Sequence, residues 1–308
     1  MKKIVSLFSC MLLILMAGCS NEDEMILSGV GEPENSMEAK AAVVYDYYVA
    51  TNGSDANTGT EAVKPFKTIQ KALNMGRKVS SRANKIKVAD GTYYEAITIQ
   101  SGGELEGNIQ NPGKVIISAT GKNKPVINTY YSAIINGFTL TGATVSGYDI
   151  VGGYDGYGAG VHISHGLIEI KNCIITGNKA TAWTGASAIK TVGGGSFEIS
   201  NTQIYNNIGD VVIRNVNVNS SIRSSTIRDN IGYVTGGTDV FYVIYVSGEK
   251  LYIMDSVINN PNSRREIYGE ETQMAYIGLS NVKIRGRLAN VGGSIYYMGG
   301  TSTVYDYP

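Results

Sequence analysis

The sequence has only two histidines, three cysteines and one tryptophan among its 308 residues. Histidine and cysteine are the usual ligands of zinc and other transition metals, so their scarcity argues against a site of that kind. Lysine plus arginine and aspartate plus glutamate both total 26, which gives a formal net charge of zero. A protein that binds nucleic acid needs a positively charged face, and this balance argues against that class.

Long hydrophobic runs are also scarce, and the most extended one, LFSCMLLILMAG, lies at the amino terminus behind MKK. A stretch of this length is too short to cross a bilayer and predicts an export signal. Its LMAGC ending resembles the lipobox of bacterial lipoproteins, in which the signal is cut before a cysteine that then carries lipid. We therefore expect residues 1–18 to be a signal peptide and Cys19 to be lipidated, with a plain secretory signal as the alternative.

Residues 19–44 predict a flexible tether, because residues 20–44 show no sustained hydrophobic period. The segment SNEDEM directly behind Cys19 resembles the surface-export signal of lipoproteins in some Gram-negative bacteria, and an ordinary acidic linker is the alternative. We expect an outer-membrane lipoprotein exposed at the cell surface and held in the membrane lipid through Cys19. Cleavage of the signal would leave Cys173 as a free thiol, so no intramolecular disulfide is expected.

From Tyr45 onward the chain is rich in Gly, Val, Ile and Thr, which indicates short strands joined by tight turns. The segment PFKTIQKALNMGRKV departs from this pattern and predicts one helix. Pro65 suits a first helical turn, and Phe66, Ile69 and Leu73 fall on one apolar face. A single short helix before a long β region predicts a cover for the open end of a stack of strands.

Four ten-residue segments repeat one pattern: EIKNCIITGN, EISNTQIYNN, SIRSSTIRDN and YIMDSVINNP. They share two isoleucine columns, a small polar column and a final asparagine column that departs at Pro261. In order, these columns are Ile170, Ile199, Ile222 and Ile253; Ile175, Ile204, Ile227 and Ile258; Asn172, Asn201, Ser224 and Asp255; and Asn178, Asn207 and Asn230. With Leu140 and Ile284 as flanking equivalents, the anchor spacings are 35, 29, 23, 31 and 26 residues. This variable period, with alternation at period two, predicts a solenoid of stacked strands with an asparagine ladder at one turn.

The segment YYVATNGSDANTGTEAVKPFKTIQKAL resembles the N-terminal cap of right-handed parallel β-helix proteins with the pectate-lyase-like, or pectin-lyase, fold. GTYYEAITI resembles their first coil, and GFTLTG and the I-x-N-x-x-I repeats resemble later coils, over about residues 45–290. The resemblance implies an all-β, right-handed parallel β-helix solenoid with a short N-terminal capping helix. We expect one domain over 45–308, with a cap at 45–84, coils at 85–290 and a C-terminal cap at 291–308.

This superfamily includes polysaccharide lyases, hydrolases, pectin esterases, epimerases and non-catalytic adhesins, so the fold alone does not select a function. The chain lacks the adjacent aspartates of the galacturonan hydrolases and has SHG where those enzymes have GHG. It also lacks the aspartate motifs of the pectin esterases and the WIDH-like stretch of the main pectate lyases. Its organisation resembles most either the lyases with a lysine base and aspartate-bound calcium or uncharacterised relatives, and the first of these makes calcium a candidate cofactor. The acids considered for calcium are Asp149, Asp155, Asp210 and Asp239, but no two share a calcium-loop spacing, so no metal ligand is assigned.

The repeats differ in residue type at the position 13 or 14 residues before each anchor isoleucine (Ile175, Ile204, Ile227 and Ile258). The residues at this position are His162, Lys190, Arg214 and Tyr245. Apolar neighbours flank each of these residues, so strand alternation predicts that all four point outward. If the coils stack in register, the four side chains form one column on the outer face of one strand. Val212 would share a face with Arg214, which leaves the inside–outside assignment open at that coil.

β-Elimination of a uronate polymer needs a base and a positive charge to stabilise the developing anion. Lys190 is the candidate base and Arg214 the candidate carboxylate clamp. His162, Tyr245 and Trp183, which lies in the loop before Lys190, are candidate substrate-binding residues. Outward Lys and Arg are also common on the surface of any β-helix, so a non-catalytic role stays open.

Two functions therefore fit the sequence. The missing signatures and a stack of about seven or eight coils favour a non-catalytic surface lipoprotein that binds polysaccharide, glycan or a surface partner along its flank. The alternative is a polysaccharide lyase that cleaves a uronate-containing glycan. The C-terminal tyrosines are expected to form a final capping hairpin, with a sugar-binding platform as the alternative; they are Tyr296, Tyr297, Tyr305 and Tyr307.

Overall fold

The computed structural model describes residues 43–146, 148–149, 155–181, 185–216, 218–232, 241–261, 265–270, 275–286, 288–290 and 294–305. Val43–Pro308 form one compact unit. The expected signal peptide, Cys19 and most of the tether lie outside the described residues. Across those ranges, no helix has both the length and the apolar character needed to span a membrane.

Three parallel sheets form the body of the protein. Sheet A consists of β1 Tyr47–Val49, β2 Lys85–Val88, β5 Gly103–Glu106, β8 Ala133–Asn136, β14 Leu167–Lys171, β18 Ser196–Ser200, β21 Ser220–Arg223, β24 Lys250–Met254, β27 Tyr276–Ser280 and β30 Ser294–Tyr297. Sheet B consists of β3 Gly91–Tyr93, β6 Val115–Ser118, β9 Thr139–Thr141, β15 Ile174–Thr176, β19 Gln203–Tyr205, β22 Thr226–Arg228, β25 Val257–Asn259, β28 Lys283–Arg285 and β31 Thr303–Tyr305. Sheet C consists of β4 Ile97–Ile99, β7 Ile127–Thr129, β13 Val161–Ile163, β17 Ile189–Thr191, β20 Val211–Val216, β23 Tyr242–Ser247, β26 Arg265–Gly269 and β29 Leu288–Asn290.

Smaller elements decorate these sheets. β10 Thr144–Val145 pairs in parallel with β16 Lys179–Ala180, whereas β11 Tyr148–Asp149 pairs antiparallel with β12 Asp155–Gly156. The helical elements of the described residues are α1 Ile69–Leu73 and a 3₁₀ turn at Pro112–Lys114. Since the chain visits sheets A, B and C in turn and each strand pairs in parallel with its equivalent one coil later, the predicted right-handed parallel β-helix is confirmed.

The anchor isoleucines stack as the repeat predicts. Leu140 pairs with Ile175, Ile175 with Ile204, and the column continues through Ile227 and Ile258 to Ile284. Every member of this column is fully buried. A single coil cannot bury such a residue by itself, so burial is gained only when neighbouring coils stack, which fixes their register.

The small polar column has a conformational role. Asn172, Asn201, Ser224 and Asp255 all have φ between 47° and 50°, at the sharp turn from sheet A into sheet B. This left-handed conformation is disfavoured for most side chains, and Asn and Asp tolerate it best. The recurrence of short polar residues at this position follows from the geometry of the turn.

A ladder of buried asparagines runs along the turn after sheet B. Asn178 donates from its backbone N–H and its Nδ2 to Oδ1 of Asn207, and Asn207 donates in the same way to Asn230. The next member is Asn260, one position before the proline of the ungapped alignment, because that turn is one residue shorter. The carboxyl group of Glu266 ends the ladder, and its two oxygens accept from the backbone N–H and Nδ2 of Asn260 at 3.3 and 3.2 Å.

Helix α1 begins later than its sequence suggests. Thr68 is the N-cap, and its side chain accepts from the backbone N–H of Lys71, so Pro65 precedes the helix instead of opening its first turn. The carboxylate of Glu95 accepts from the backbone N–H groups of Ile69 and Gln70 at 2.9 and 3.0 Å. The start of the helix is therefore bonded to the first coil, although the two are far apart in sequence.

The helix also covers the edge of sheet C through one side chain. Gln70 Nε2 donates to the carbonyl of Thr98 at 3.0 Å, and the N–H of Thr98 donates to Gln70 Oε1 at 2.7 Å. This carboxamide therefore takes the place of a neighbouring strand at the open edge of β4. At the edge of β1, the backbone N–H of Tyr48 donates to the carbonyl of Gly59, and the carbonyl of Tyr48 accepts from the backbone N–H of Phe66.

The described C-terminal tyrosines, Tyr296, Tyr297 and Tyr305, do not form the expected hairpin. Strands β30 and β31 each pair in parallel with the preceding coil and so lengthen sheets A and B by one strand. Tyr296 stacks on Tyr276 with ring centroids 4.4 Å apart, and Tyr297 is exposed. Ile295, the neighbour of Tyr296 in β30, pairs in register with Ile277 and packs against the hydrophobic core. The strand therefore continues the alternation of inward and outward residues seen in the preceding coil. Tyr307 lies outside the described residues.

Candidate functional site

The four residues singled out by the repeat stand in one column on sheet C. The Cα register pairs His162 with Lys190, Lys190 with Arg214, and Arg214 with Tyr245. The column extends in both directions beyond them, to Asn128 and Thr98 on the preceding coils and to Tyr268 on the following one. The predicted in-register column is therefore present.

The column lies on the side of sheet C that faces away from the core. Ile189, Ile213 and Ile244, which precede the column residues, pair with one another and are fully buried in the hydrophobic core. Val212 also lies in the core, next to Ile213. Two successive residues, Val212 and Ile213, therefore lie in the core, and the inward position of Val212 does not place Arg214 inside.

Three of the four residues are buried, so the outward direction that alternation predicts does not make them accessible. His162 and Lys190 are completely buried, and Tyr245 is only 9% exposed. Tyr157 packs edge-on against the His162 ring, with centroids 5.1 Å apart, and the N–H of Gly158 donates to His162 Nδ1 at 3.1 Å. A Cβ on Gly158 would lie only 2.8 Å from the Lys190 backbone nitrogen. The chain entering β13 therefore covers this part of the outer face.

Beyond Lys190 the column opens into a partly exposed cluster, which we call the Arg–Tyr patch: Arg214, Tyr242, Tyr245, Tyr268 and Glu270. The Arg214 guanidinium lies over the Tyr245 ring, 4.1 Å from its centroid. The Tyr268 ring lies 5.5 Å from that of Tyr245 and 4.7 Å from that of Tyr242. The Tyr245 hydroxyl donates to Glu270 Oε2 at 2.6 Å.

Contacts within the patch fix the protonation states of Tyr245 and Glu270. Burial and the hydrogen bond to Glu270 raise the pKa of Tyr245 above its ordinary value, so this hydroxyl remains a donor. Burial would raise the pKa of Glu270, but hydrogen bonds from Ser247 and Tyr245, together with the Arg214 charge, hold it below its ordinary value. The patch therefore presents an ionised carboxylate and a guanidinium beside the partly exposed rings of Tyr242 and Tyr268, whereas Tyr245 is buried.

The other sequence candidates are distributed differently. Trp183 and Asp239 lie outside the described residues. Asp149 and Asp155 are register partners in the antiparallel pair β11–β12, whereas Asp210 lies at the turn into β20. Among the residues that the structure describes, no three His, Cys, Asp or Glu side chains come close enough together to hold a metal ion.

Sequence reasoning missed Tyr242, Tyr268 and Glu270. Tyr268 precedes its anchor Ile284 by 16 residues instead of 13 or 14, so counting at a fixed distance passes it by. Allowing the loop length to vary, as the anchor spacings already do, would have extended the column to Tyr268. No repeat signal marks Glu270, because it follows the end of β26.

The stacked sheets and this outer face define the class of the protein as a right-handed parallel β-helix. Among solved structures, the chain resembles the pectin methylesterase from carrot, with a TM-score of 0.51 and 12% identity over 87% of this chain and 84% of that one. The pectin methylesterase from Aspergillus niger in its deglycosylated form gives a TM-score of 0.48 and 17% identity over 87% and 85%. At 12% identity, the likeness to the carrot enzyme establishes the fold alone. Neither the models of protein families nor the curated proteins compared with the chain gave a match.

Proposed function

We propose that the protein binds a polysaccharide along the outer face of sheet C, through the Arg–Tyr patch, without cleaving it. The observation that carries this proposal is the in-register stack of Arg214, Tyr245 and Tyr268 on three successive coils. The partly exposed rings of Tyr242 and Tyr268 offer apolar surface to a sugar ring, while the guanidinium and the carboxylate donate to and accept from its hydroxyls. Three coils span about 10 Å, which suits a short stretch of sugar chain.

Two further observations favour binding over cleavage. Lys190, the candidate base, is completely buried and cannot reach a polymer at the surface in this conformation. Among the described residues, the Arg–Tyr patch also contains a single carboxylate, that of Glu270, so it lacks the paired acids of hydrolytic glycan enzymes. The carrot protein with the same fold is a pectin methylesterase, which is consistent with a carbohydrate ligand.

We place this activity at the cell surface. The lipobox-like LMAGC and the acidic SNEDEM support attachment to the outer membrane through Cys19, with the β-helix displayed on a tether. A polysaccharide ligand outside the cell would then be within reach of the flank. Fractionation of cells with and without surface protease treatment tests this placement, and protein in the soluble fraction would contradict it.

Arg214→Ala is expected to weaken polysaccharide binding about 10- to 100-fold, because charge-assisted hydrogen bonds contribute about 1.5–3 kcal/mol each. The measurement is a glycan array followed by calorimetric titration with the ligand that binds best. Arg228→Ala is the matched control, since Arg228 also lies over a tyrosine ring, at 4.5 Å from the centroid of Tyr205, but on sheet B. Equal losses in both variants would contradict the assignment to sheet C.

The alternative is a lyase, and the adjacency of Lys190 and Arg214 on neighbouring coils is what favours it. We expect wild-type protein to give no rise in ultraviolet absorbance from unsaturated product on a panel of uronate polymers, with or without calcium. Lys190→Met, which keeps most of the side-chain volume, should leave polysaccharide binding nearly unchanged. Wild-type activity that this variant abolishes would establish the lyase instead.

A further inference from the structure

The C-terminal end of the stack leaves core positions uncovered. Tyr297 of β30 pairs in register with Leu279, and Val304 of β31 pairs with Ile284. Both partners are fully buried, whereas Tyr297 is 60% exposed and Val304 is 37% exposed. Ile295, also in line with the core, is only partly buried. This end therefore exposes apolar surface that a further strand would bury.

The backbone of β30 also directs hydrogen-bonding groups away from the stack. The N–H groups of Ser294 and Met298 donate to carbonyls of the preceding coil. Because backbone groups alternate in direction along a strand, those of Ile295 and Tyr297 point to the opposite side. Among the described residues, no strand follows β30 in sheet A or β31 in sheet B. The last coil thus ends in an edge that can accept another strand.

The composition of this coil does not discourage such pairing. Exposed edge strands usually carry lysine, proline or other charged residues that hinder the approach of a second strand. From Leu288 to Tyr305 the chain has no charged residue and no proline. An identical edge can therefore approach this one without repulsion between like charges.

The opposite end of the stack cannot receive this edge. At β4 the carboxamide of Gln70 bonds to the N–H and the carbonyl of Thr98. At β1 the backbone of Tyr48 is bonded to Gly59 and Phe66. The C-terminal edge of one copy therefore matches the C-terminal edge of another copy, related to it by a two-fold axis. A contact of this kind closes on itself and stops at two copies.

We propose that the C-terminal end is a docking surface for a second copy of this chain, and that the copies pair antiparallel through β30 about a two-fold axis at Tyr296. Ile295 of each copy then lies opposite Tyr297 of the other, and each such pair exchanges N–H···O=C bonds in both directions. Tyr296 meets its own equivalent at the position without hydrogen bonds, where Cα atoms are about 4.5 Å apart. The pairing covers the exposed Tyr297 rings and does not depend on ligand binding at the Arg–Tyr patch.

Analytical ultracentrifugation of the protein over a range of concentrations tests the pairing. We expect monomers and dimers without larger species. Tyr296→Lys places like charges opposite each other at the axis and should weaken dimerisation about tenfold or more. Tyr252→Lys is the matched control, because Tyr252 stands in the same column two coils earlier, away from the edge. This control should dimerise as wild type does.

Cysteine cross-linking tests the register. Tyr296→Cys should form a disulfide between copies under mild oxidation, because the Cα separation at the axis falls within the range that a disulfide spans. In Ser294→Cys the two cysteines would lie on opposite sides of the axis, about 14 Å apart, and should not cross-link. Wild type, with its native cysteines, gives the background.

The contrary outcomes are distinct. A protein that stays monomeric at every concentration overturns the proposal, and so does growth into assemblies of more than two copies. A dimer that Tyr296→Lys does not weaken has its contact elsewhere, which also overturns it. If circular dichroism shows that Tyr296→Lys is unfolded, the cysteine pair decides: equal cross-linking of Ser294→Cys and Tyr296→Cys, or none in either, overturns the proposed pairing.

Discussion

Replacing Asn207 with alanine is expected to lower the free energy of unfolding by about 4 kcal/mol or more, since each buried polar group left unpaired costs about 1–3 kcal/mol. Asn207 is completely buried in the middle of the ladder. Its Oδ1 accepts both the backbone N–H and the Nδ2 of Asn178, at 3.1 Å each. Its Nδ2 donates to two main-chain carbonyls, at 3.0 and 3.1 Å, and to Asn230. Alanine removes all of these bonds. Several of the donors and acceptors that Asn207 bonds to would then be left unpaired inside the protein, where no water replaces the lost partner.

Urea denaturation of wild type and variant measures this effect. Gln203→Ala is the control, because Gln203 is exposed on β19, one residue before the buried Ile204 of the same coil. The control should change stability by less than about 0.5 kcal/mol, as is usual for surface substitutions. A loss below about 1 kcal/mol for Asn207→Ala would mean that the ladder contributes little to stability.

The stability of the protein is expected to fall as the pH rises from about 5 to about 8, because of the carboxyl group that ends the ladder. Burial raises the pKa of Glu266 to about 8, although both hydrogen bonds from Asn260 act to lower it. An acid whose pKa is higher in the folded than in the unfolded state holds its proton more firmly when folded. Its stabilising contribution is therefore complete below about pH 4.5 and is lost as the pH rises through the folded value. The shift corresponds to about 5 kcal/mol at most.

Glu266→Gln removes this titration, since glutamine carries no charge at any of these pH values. Unfolding free energies at pH 5, 6.5 and 8 should show a smaller decline for the variant than for wild type, and at pH 8 the variant should be the more stable protein. Glu198→Gln, at an exposed carboxylate on β18, should keep the wild-type decline. Parallel pH curves for wild type and Glu266→Gln would refute the assignment.

The sequence predicts the scaffold well because burial imposes the repeat. An isoleucine that must stack on its equivalents leaves a periodic trace, and all six anchors from Leu140 to Ile284 pair as the spacings indicate. The asparagine ladder was visible for the same reason. Only its last step, from Asn230 to Asn260, escaped an alignment without gaps, because a turn shortened by one residue moves the partner.

The site is less predictable because its contacts break the repeat. Alternation placed His162 and Lys190 on the outer face, but their burial depends on Tyr157 and Gly158, which belong to a non-repeating segment before β13. Nothing in a periodic pattern tells how an inserted segment folds back. Glu270 likewise joins Tyr245 only through side-chain contact after the end of a strand.

The contact between Gln70 and Thr98 has a consequence for the behaviour of many copies together. A stack of parallel strands is a template that another chain could lengthen, and proteins crowded on one surface meet each other's edges often. With its N–H and carbonyl already bonded to one carboxamide, Thr98 offers an incoming strand no partner at this edge. A single side chain thus acts as a stop against end-on polymerisation at the first coil of sheet C, so copies at high concentration would not grow into fibres from that edge.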